Sequence, residues 1–339
     1  MLLSEYSPRS MLVTKETRVE RPRYPVFEAH SHLREWADRP LSELFDVMEQ
    51  AGVKAIVDLD GAWGEHLVNR HLERFKAKAP ERFRIFGGVD FDAWAEHGDR
   101  FGEWAAGRLR EQVRRGAQGL KIWKNLGLHV KDQDGNLVRI NDTRLEPIWQ
   151  TAGELKIPVT IHIADPVAFF LPLSPENERW EELQAHPDWH FPSPPFPPFL
   201  SLVEDMRDVV RRHPAVTFIG AHVGCYAENL HWVGSVMDEC PNFFIDISAR
   251  IAELGRQPYT CRRFFIEHAD RILFGTDVSA VRPEESRIYY RFLETDDEYF
   301  PYSTAPIPPV GRWSIYGLFL PDAVLEQVYH LNAERIFAE

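Results

Sequence analysis

The chain has 339 residues, enough for one large domain or two ordinary ones, and its 44% hydrophobic and 27% charged content suits a folded, water-soluble protein with a sizeable core. A formal net charge of −13, with no cluster of Lys and Arg to reverse it, repels phosphate backbones and argues against nucleic-acid binding. Three cysteines, Cys225, Cys240 and Cys261, form no C-x-x-C pair, which argues against a disulfide framework or a cysteine zinc site and for a reducing, cytoplasmic setting.

Residues 1–25 carry no continuous apolar stretch of the signal-peptide kind and are expected to form an N-terminal arm, either packed along a domain spanning 26–339 or partly disordered. No run approaches the roughly 20 apolar residues needed to cross a bilayer, so no membrane partner is expected. From Val26 onward, short apolar runs alternate with helix-like stretches. The runs are Val26–His32, Lys54–Asp60, Arg84–Asp90, Gly119–Lys124, Pro158–Ile163, Thr217–His222, Phe243–Ser248 and Ile272–Asp277. Each is short and rich in Val, Ile and Phe, as strands buried on both faces should be.

Helices are expected between them. Leu41, Leu44, Phe45 and Met48 recur at i, i+3, i+4, i+7 within Pro40–Ala51, and Gly52 supplies a stop. Asp142 or Thr143 can cap the helix carrying Leu145, Ile148 and Trp149. Leu200–His213, Tyr226–Cys240 and Pro321–Phe337 show similar patterns. Eight β/α repeats point to an α/β protein, a single-domain (β/α)₈ barrel; an open doubly wound sheet competes, but no Gly-rich phosphate turn follows the first strand. The fifth and sixth strands are separated by an unusually long stretch, Asp165–Phe199. Its FFLPLSPENERW and HFPSPPFPPF runs are too proline-dense for regular structure. In a barrel this loop lies over the C-terminal face, either as a lid or substrate wall or as an inert surface loop or subunit contact.

Ionisable residues end several of these apolar strands. His30 and His32, two apart on the first strand, point the same way and make half a site for a divalent ion. His162 ends the fifth strand, His222 the sixth and Asp277 the eighth. Any one of these histidines, taken alone, is more simply a satisfied core residue. The set together is not, because burying five such groups unpartnered would cost several kcal/mol. One divalent ion, zinc or else manganese, is the expected partner.

These motifs resemble the amidohydrolase superfamily, and within it the amidohydrolase-2 group, relatives of aminocarboxymuconate-semialdehyde decarboxylase. The resemblance runs through PVFEAHSHL, GLKIW, PVTIHIADP, HPAVTFIGAHVG, PNFFIDIS, ILFGTD and the closing NAERIF. It implies metal ligation by His30, His32, His162 and Asp277. Asp277 would also carry a proton, and His222 would hold water or polarise a carbonyl. Lys121 occupies the strand that carries a carboxylated bridging lysine in two-metal members. One-metal members are commoner in this group, so Lys121 is expected to bind substrate or to be structural, with a charge that snorkels out of the barrel as the plainer alternative. The group often has Asp where this chain has Glu28.

The activity implied is metal-dependent hydrolysis of an amide, lactone or ester, with non-oxidative decarboxylation of an aromatic or unsaturated acid as the alternative on the same site. A non-catalytic barrel kept for binding is the third reading, disfavoured by the intact donor set. Arg250, just past the seventh strand, can fork to a substrate carboxylate or pair with Asp246 or Glu253; Arg256, Lys124 and His129 are further candidates for the mouth. The aromatic stretches Arg287–Phe300 and Trp313–Pro321 are expected in the core or at a homodimer contact.

Overall fold

The computed structural model describes residues 9–279 and 281–337. Eight strands lie in chain order in one all-parallel sheet: β1 Val26–Ser31, β2 Val53–Ala62, β3 Phe83–Gly87, β4 Gly119–Ile122, β5 Val159–Ile161, β6 Phe218–Gly220, β7 Phe243–Asp246 and β8 Ile272–Leu273. The two edges meet. Ala29 N donates to Phe274 O at 2.9 Å, Asp277 N to His30 O at 2.9 Å, and Ser31 bridges Val278 in parallel. The sheet is therefore a (β/α)₈ barrel with helices packed between successive strands.

All eight strands fall inside or within two residues of the expected runs, but most are shorter at their C-terminal ends. The difference falls on the polar residues. His32, His162, His222 and Asp277 lie just past the last ladder pair, where the strands splay toward the mouth.

Local signals set the helix ends. The helix Leu41–Ala51 buries Leu44 and Met48 and stops at Gly52, which adopts φ 76°. Asp142 accepts from Arg144 N at 2.9 Å and opens a 3₁₀ turn that runs into the helix Glu146–Leu155. The expected helix at Tyr226–Cys240 begins only at Leu230, capped by the Asn229 side chain. The stretch Arg287–Phe300 is mostly the helix Pro283–Glu294, with Tyr289, Tyr290, Phe292 and Leu293 buried in the core. At the barrel floor, Phe27, Val57, Phe86, Phe244 and Leu273 close around Phe337.

The long segment between β5 and β6 is less irregular than its prolines suggest. It holds a 3₁₀ turn at Val167–Phe170 and a short helix at Trp180–Ala185, placed between the proline runs. Phe169, Phe170, Leu183 and Phe191 bury themselves in the main core, so the segment is packed down on the barrel.

Residues 9–25 have almost no regular structure and are held at specific points. Thr17 donates to Asp297 through its backbone N at 2.6 Å and its hydroxyl at 2.7 Å, and Arg291 donates to the same carboxylate at 2.8 Å. Burial opposes ionisation of Asp297, but these donors outweigh it and hold the carboxyl below its ordinary value. A depressed carboxyl stabilises above its unfolded pKa, and that contribution is lost as pH falls through the folded one. Asp297→Ala is therefore expected to make residues 9–25 protease-sensitive at pH 7. In the unsubstituted protein the same sensitivity should appear only below pH ~4. Timed proteolysis with mass spectrometry checks both.

Candidate metal centre

β1 is not a regular strand. Glu28 pairs with Ile56 and Ser31 with Asp58, so β1 uses one residue more than β2 over the same step. This β-bulge re-aims the side chains around it. His30 and His32 still converge, with ring centroids 5.6 Å apart. Glu28 goes elsewhere: its carboxyl accepts from Thr276 N at 2.8 Å, Thr276 Oγ1 at 3.0 Å and His30 N at 3.3 Å, and touches no imidazole ring. Burial raises its pKa to about 8. Glu28 thus ties β1 to the end of β8, where Asp277 begins its turn.

Three of the histidines are each oriented by a carboxylate. His30 Nδ1 lies 2.8 Å from Asp246 Oδ2, His32 Nδ1 3.1 Å from Asp60 Oδ1, and His162 Nε2 3.3 Å from Asp165 Oδ1. An ionised carboxylate only accepts, so these nitrogens carry the hydrogen, and a neutral ring then offers its opposite nitrogen to a metal ion. Burial opposes protonation of His32, but Asp277 and Asp60 on either side of the ring raise its pKa. His222 is fixed likewise, with Nδ1 2.9 Å from the carbonyl of Ser248 and 3.0 Å from its hydroxyl. Burial, helped by His162 and Arg250, pushes the His222 pKa well down, so the ring is neutral with its lone pair on Nε2.

The free nitrogens face one another across the mouth. Asp277 Oδ1 is 3.1 Å from His32 Nε2 and 3.5 Å from His30 Nε2, and its Oδ2 is 3.8 Å from His222 Nε2. Two ligands each about 2.1 Å from a zinc or similar ion lie about 3.0–3.4 Å apart; the spacings of Asp277 to His32 and His30 are at or near that range, and the one to His222 is wider. Donor atoms approach within 4.8 Å of one another in two groups here, His30–His32–Asp277 and His30–His222–Asp246. His162 belongs to neither. It stands edge-on to His222 at 4.4 Å, and burial lowers its pKa to about 4. Burial alone would raise Asp277, but the surrounding imidazoles hold it well below the usual carboxylate range.

The backbone is strained at the same level of the barrel. His222, Val223, Ala249 and Asp277 all adopt left-handed φ, between 51° and 61°, just beyond β6, β7 and β8. Each such non-glycine residue costs on the order of 1 kcal/mol or more, and such strain concentrates where side chains must be aimed.

Around this centre, Lys121 is buried, with Nζ 3.5 Å from His30 Nε2 and 5.0 Å from the Trp123 ring. It does not snorkel out of the barrel, and burial lowers its pKa to about 8. Trp123 stacks on His32 at 5.3 Å. Arg250 is 7% exposed, and among the described residues its guanidinium makes one hydrogen bond, to Ala249 O at 2.7 Å. It pairs with neither Asp246 nor Glu253: Asp246 holds His30, and Glu253 is taken by Arg179. Arg256 turns away to Glu178, at 2.8 and 3.0 Å, and stacks on Trp313. Lys124 pairs with Asp165, and His129 packs edge-on against Phe191 and Phe196. The carboxylates Asp60, Asp165 and Asp246 were not singled out in the sequence as partners of the histidines. The D-x-D of VDLDG and the Asp three residues after His162 were the available signals.

Comparison with known proteins places the chain in a family and a fold. A family model described as Amidohydrolase matches residues 29–338. No curated protein matches. Among solved structures, the chain is similar to a 2,6-dihydroxybenzoate decarboxylase from Rhizobium (16% identity, 93% of this chain and 98% of that one, TM-score 0.53). It is also similar to a dihydroxybenzoic acid decarboxylase from Polaromonas sp. JS666 with bound manganese and 2-nitroresorcinol (16%, 93% and 97%, TM-score 0.55). A third is a 5-carboxyvanillate decarboxylase from Novosphingobium aromaticivorans complexed with manganese and a nitrobenzoic acid (14%, 96% and 100%, TM-score 0.55). At these identities the likeness is one of fold.

Proposed function

The chain belongs to the amidohydrolase family and is an enzyme of it, and from that premise we propose that it hydrolyses an amide, lactone or ester bond in a substrate bearing a carboxylate. The observation that carries this reading is the convergence of His30, His32 and Asp277 donors at 3.1–3.5 Å, each imidazole backed by its own carboxylate.

His30, His32, His162 and Asp277 would hold one divalent ion, zinc first and manganese second. Such an ion lowers the pKa of its water to roughly 7 and polarises a carbonyl. Asp277 Oδ2, on the side toward His222, would take a proton from the attacking water and return it to the leaving group; its 3.8 Å distance from His222 Nε2 supports this reading. His222, neutral and with its lone pair on Nε2, accepts a hydrogen bond there; that favours holding the water over polarising the carbonyl. Lys121 and Arg250 supply positive charge on two sides of the mouth. The unspent donors of Arg250 suit a substrate carboxylate. We place the enzyme in the cytoplasm as a homodimer. Among the described residues no helix is long and apolar enough to cross a membrane.

A second reading is favoured by the decarboxylases among the structures of this fold. With an aromatic or unsaturated acid held by the same donors, Asp277 would relay a proton taken from a substrate hydroxyl or from water to the carbon that loses CO₂. Incubating the metal-loaded enzyme with aromatic acids, lactones and amides separates the two. Hydrolysis products without CO₂ support the first reading; CO₂ without hydrolysis replaces it with the second.

Under either reading Arg250→Met is expected to raise KM for a carboxylate substrate about 10- to 100-fold, the loss of one charge-assisted hydrogen bond. Steady-state kinetics against a neutral analogue, whose KM should not move, checks it.

A further inference from the structure

We propose that His71, outside the barrel and away from the mouth, is a positioning residue for the metal centre, acting on His32 through Asp58 and Asp60. The inference rests on His32 being a metal ligand. His71 sits in the helical segment Val68–Lys76 that follows β2, and is 1% exposed. Its Nδ1 is 2.6 Å from Asp58 Oδ2 and 3.9 Å from Asp60 Oδ2. Asp58 Oδ1 accepts from Leu33 N and from Asp60 N, both at 3.2 Å. Asp60 in turn holds His32 Nδ1 at 3.1 Å and Arg34 N at 2.7 Å.

The connectivity separates this from an ordinary buried Asp–His pair. Asp58 grips the residue after His32 and also the residue that hydrogen-bonds the His32 ring. Rotation of Asp58 therefore moves both anchors of one imidazole. Asp58 and Asp60 are two carboxylates two residues apart on β2, and they repel. A hydrogen donated by His71 keeps Asp58 from seeking another partner, such as His32 itself. The far side of His71 is not tied down: its Nε2 has no hydrogen-bond partner among the described residues, and the residue lines a cavity of about 370 Å³ with His66, Asp60 and Arg34. The chain of contacts thus reaches His32 at Nδ1, the ring nitrogen opposite the one that faces Asp277.

The test is metal affinity of the full-length protein, measured with Zn²⁺ and Mn²⁺ against a competing chelator and with no substrate present. His71→Leu is expected to weaken both ions about 10- to 100-fold, the usual effect of losing an outer partner of a ligand imidazole. His71→Asn, whose amide nitrogen can occupy the Nδ1 position, should come back to within about threefold. The visible spectrum of the Co²⁺-loaded protein should shift in His71→Leu and return in His71→Asn, which a merely structural role would not produce. Unchanged affinity in His71→Leu, or an equal loss in His71→Asn, overturns the proposal. If His71→Leu does not fold, Asp58→Asn is read in its place: loss supports the proposal, retention overturns it. His32→Ala separates the levels. If it retains metal, the ligand reading fails and takes the relay with it. If it loses metal while His71→Leu does not, only the relay fails.

Discussion

Asp277→Asn is expected to lower kcat by about 10²–10⁴-fold while the protein, supplied with excess metal, still binds it. The reasoning separates the two jobs of one side chain. Asn keeps an oxygen where Asp277 Oδ1 faces His30 and His32 at 3.5 and 3.1 Å, so a neutral, weaker ligand remains. It removes the carboxylate that would take and return a proton near His222. His30→Ala should behave oppositely. It deletes a ligand outright and leaves Asp246, buried and held ionised mainly by His30, without its main partner. Metal content after dialysis and turnover at saturating metal, measured on both variants, give the comparison. Full turnover by Asp277→Asn would remove the proton-carrying role under both proposed reactions.

The largest effect on stability is expected at Arg179. This residue lies in the long segment after β5, is 1% exposed, and pairs with Glu253 and Glu182. Arg179→Met leaves Glu253 and Glu182 buried with no strong cation, which costs about 3–5 kcal/mol when one partner of a buried ion pair is removed. Arg256→Met is the internal control. Its pair with Glu178 is solvent-exposed, and losing it costs about 1 kcal/mol or less. Urea unfolding of the two variants should differ accordingly. Proteolysis should cut first within residues 166–198 in Arg179→Met, because that segment loses its main tie to the turn after β7.

Much of the barrel was legible because its strands are buried on both faces and read as continuous apolar runs, a pattern that needs no partner to be recognised. His30, His32, His162, His222 and Asp277 stood out for the opposite reason: they are ionisable groups where an apolar run should continue, though His162 falls outside the close donor groups. Three things were not legible. The bulge in β1 is an extra residue relative to β2, so no periodicity within β1 alone reveals it; it sends Glu28 to Thr276 instead of an imidazole. The carboxylates behind His30 and His32 sit on β7 and β2, and sequence separation hides such pairings; Asp165, three residues after His162, was within reach of the sequence. Arg250 and Arg256 look alike in sequence, yet only tertiary packing buries one with a single hydrogen bond to Ala249 O and turns the other toward Glu178.

The position of Asp165 has a practical consequence for anyone exchanging loops on this scaffold. The long segment after β5 starts at a residue that orients His162 and is clasped by Lys124, whose ammonium also sits over the ring of Phe191 far along the same segment. A transplant that replaces Asp165 would disturb His162 along with whatever specificity it brings. The usable junction is therefore Pro166, one residue later, with Pro198 as its downstream counterpart. Between those prolines the wall of the mouth can be rewritten while the histidine keeps its carboxylate, provided the new segment brings a cation for Glu253.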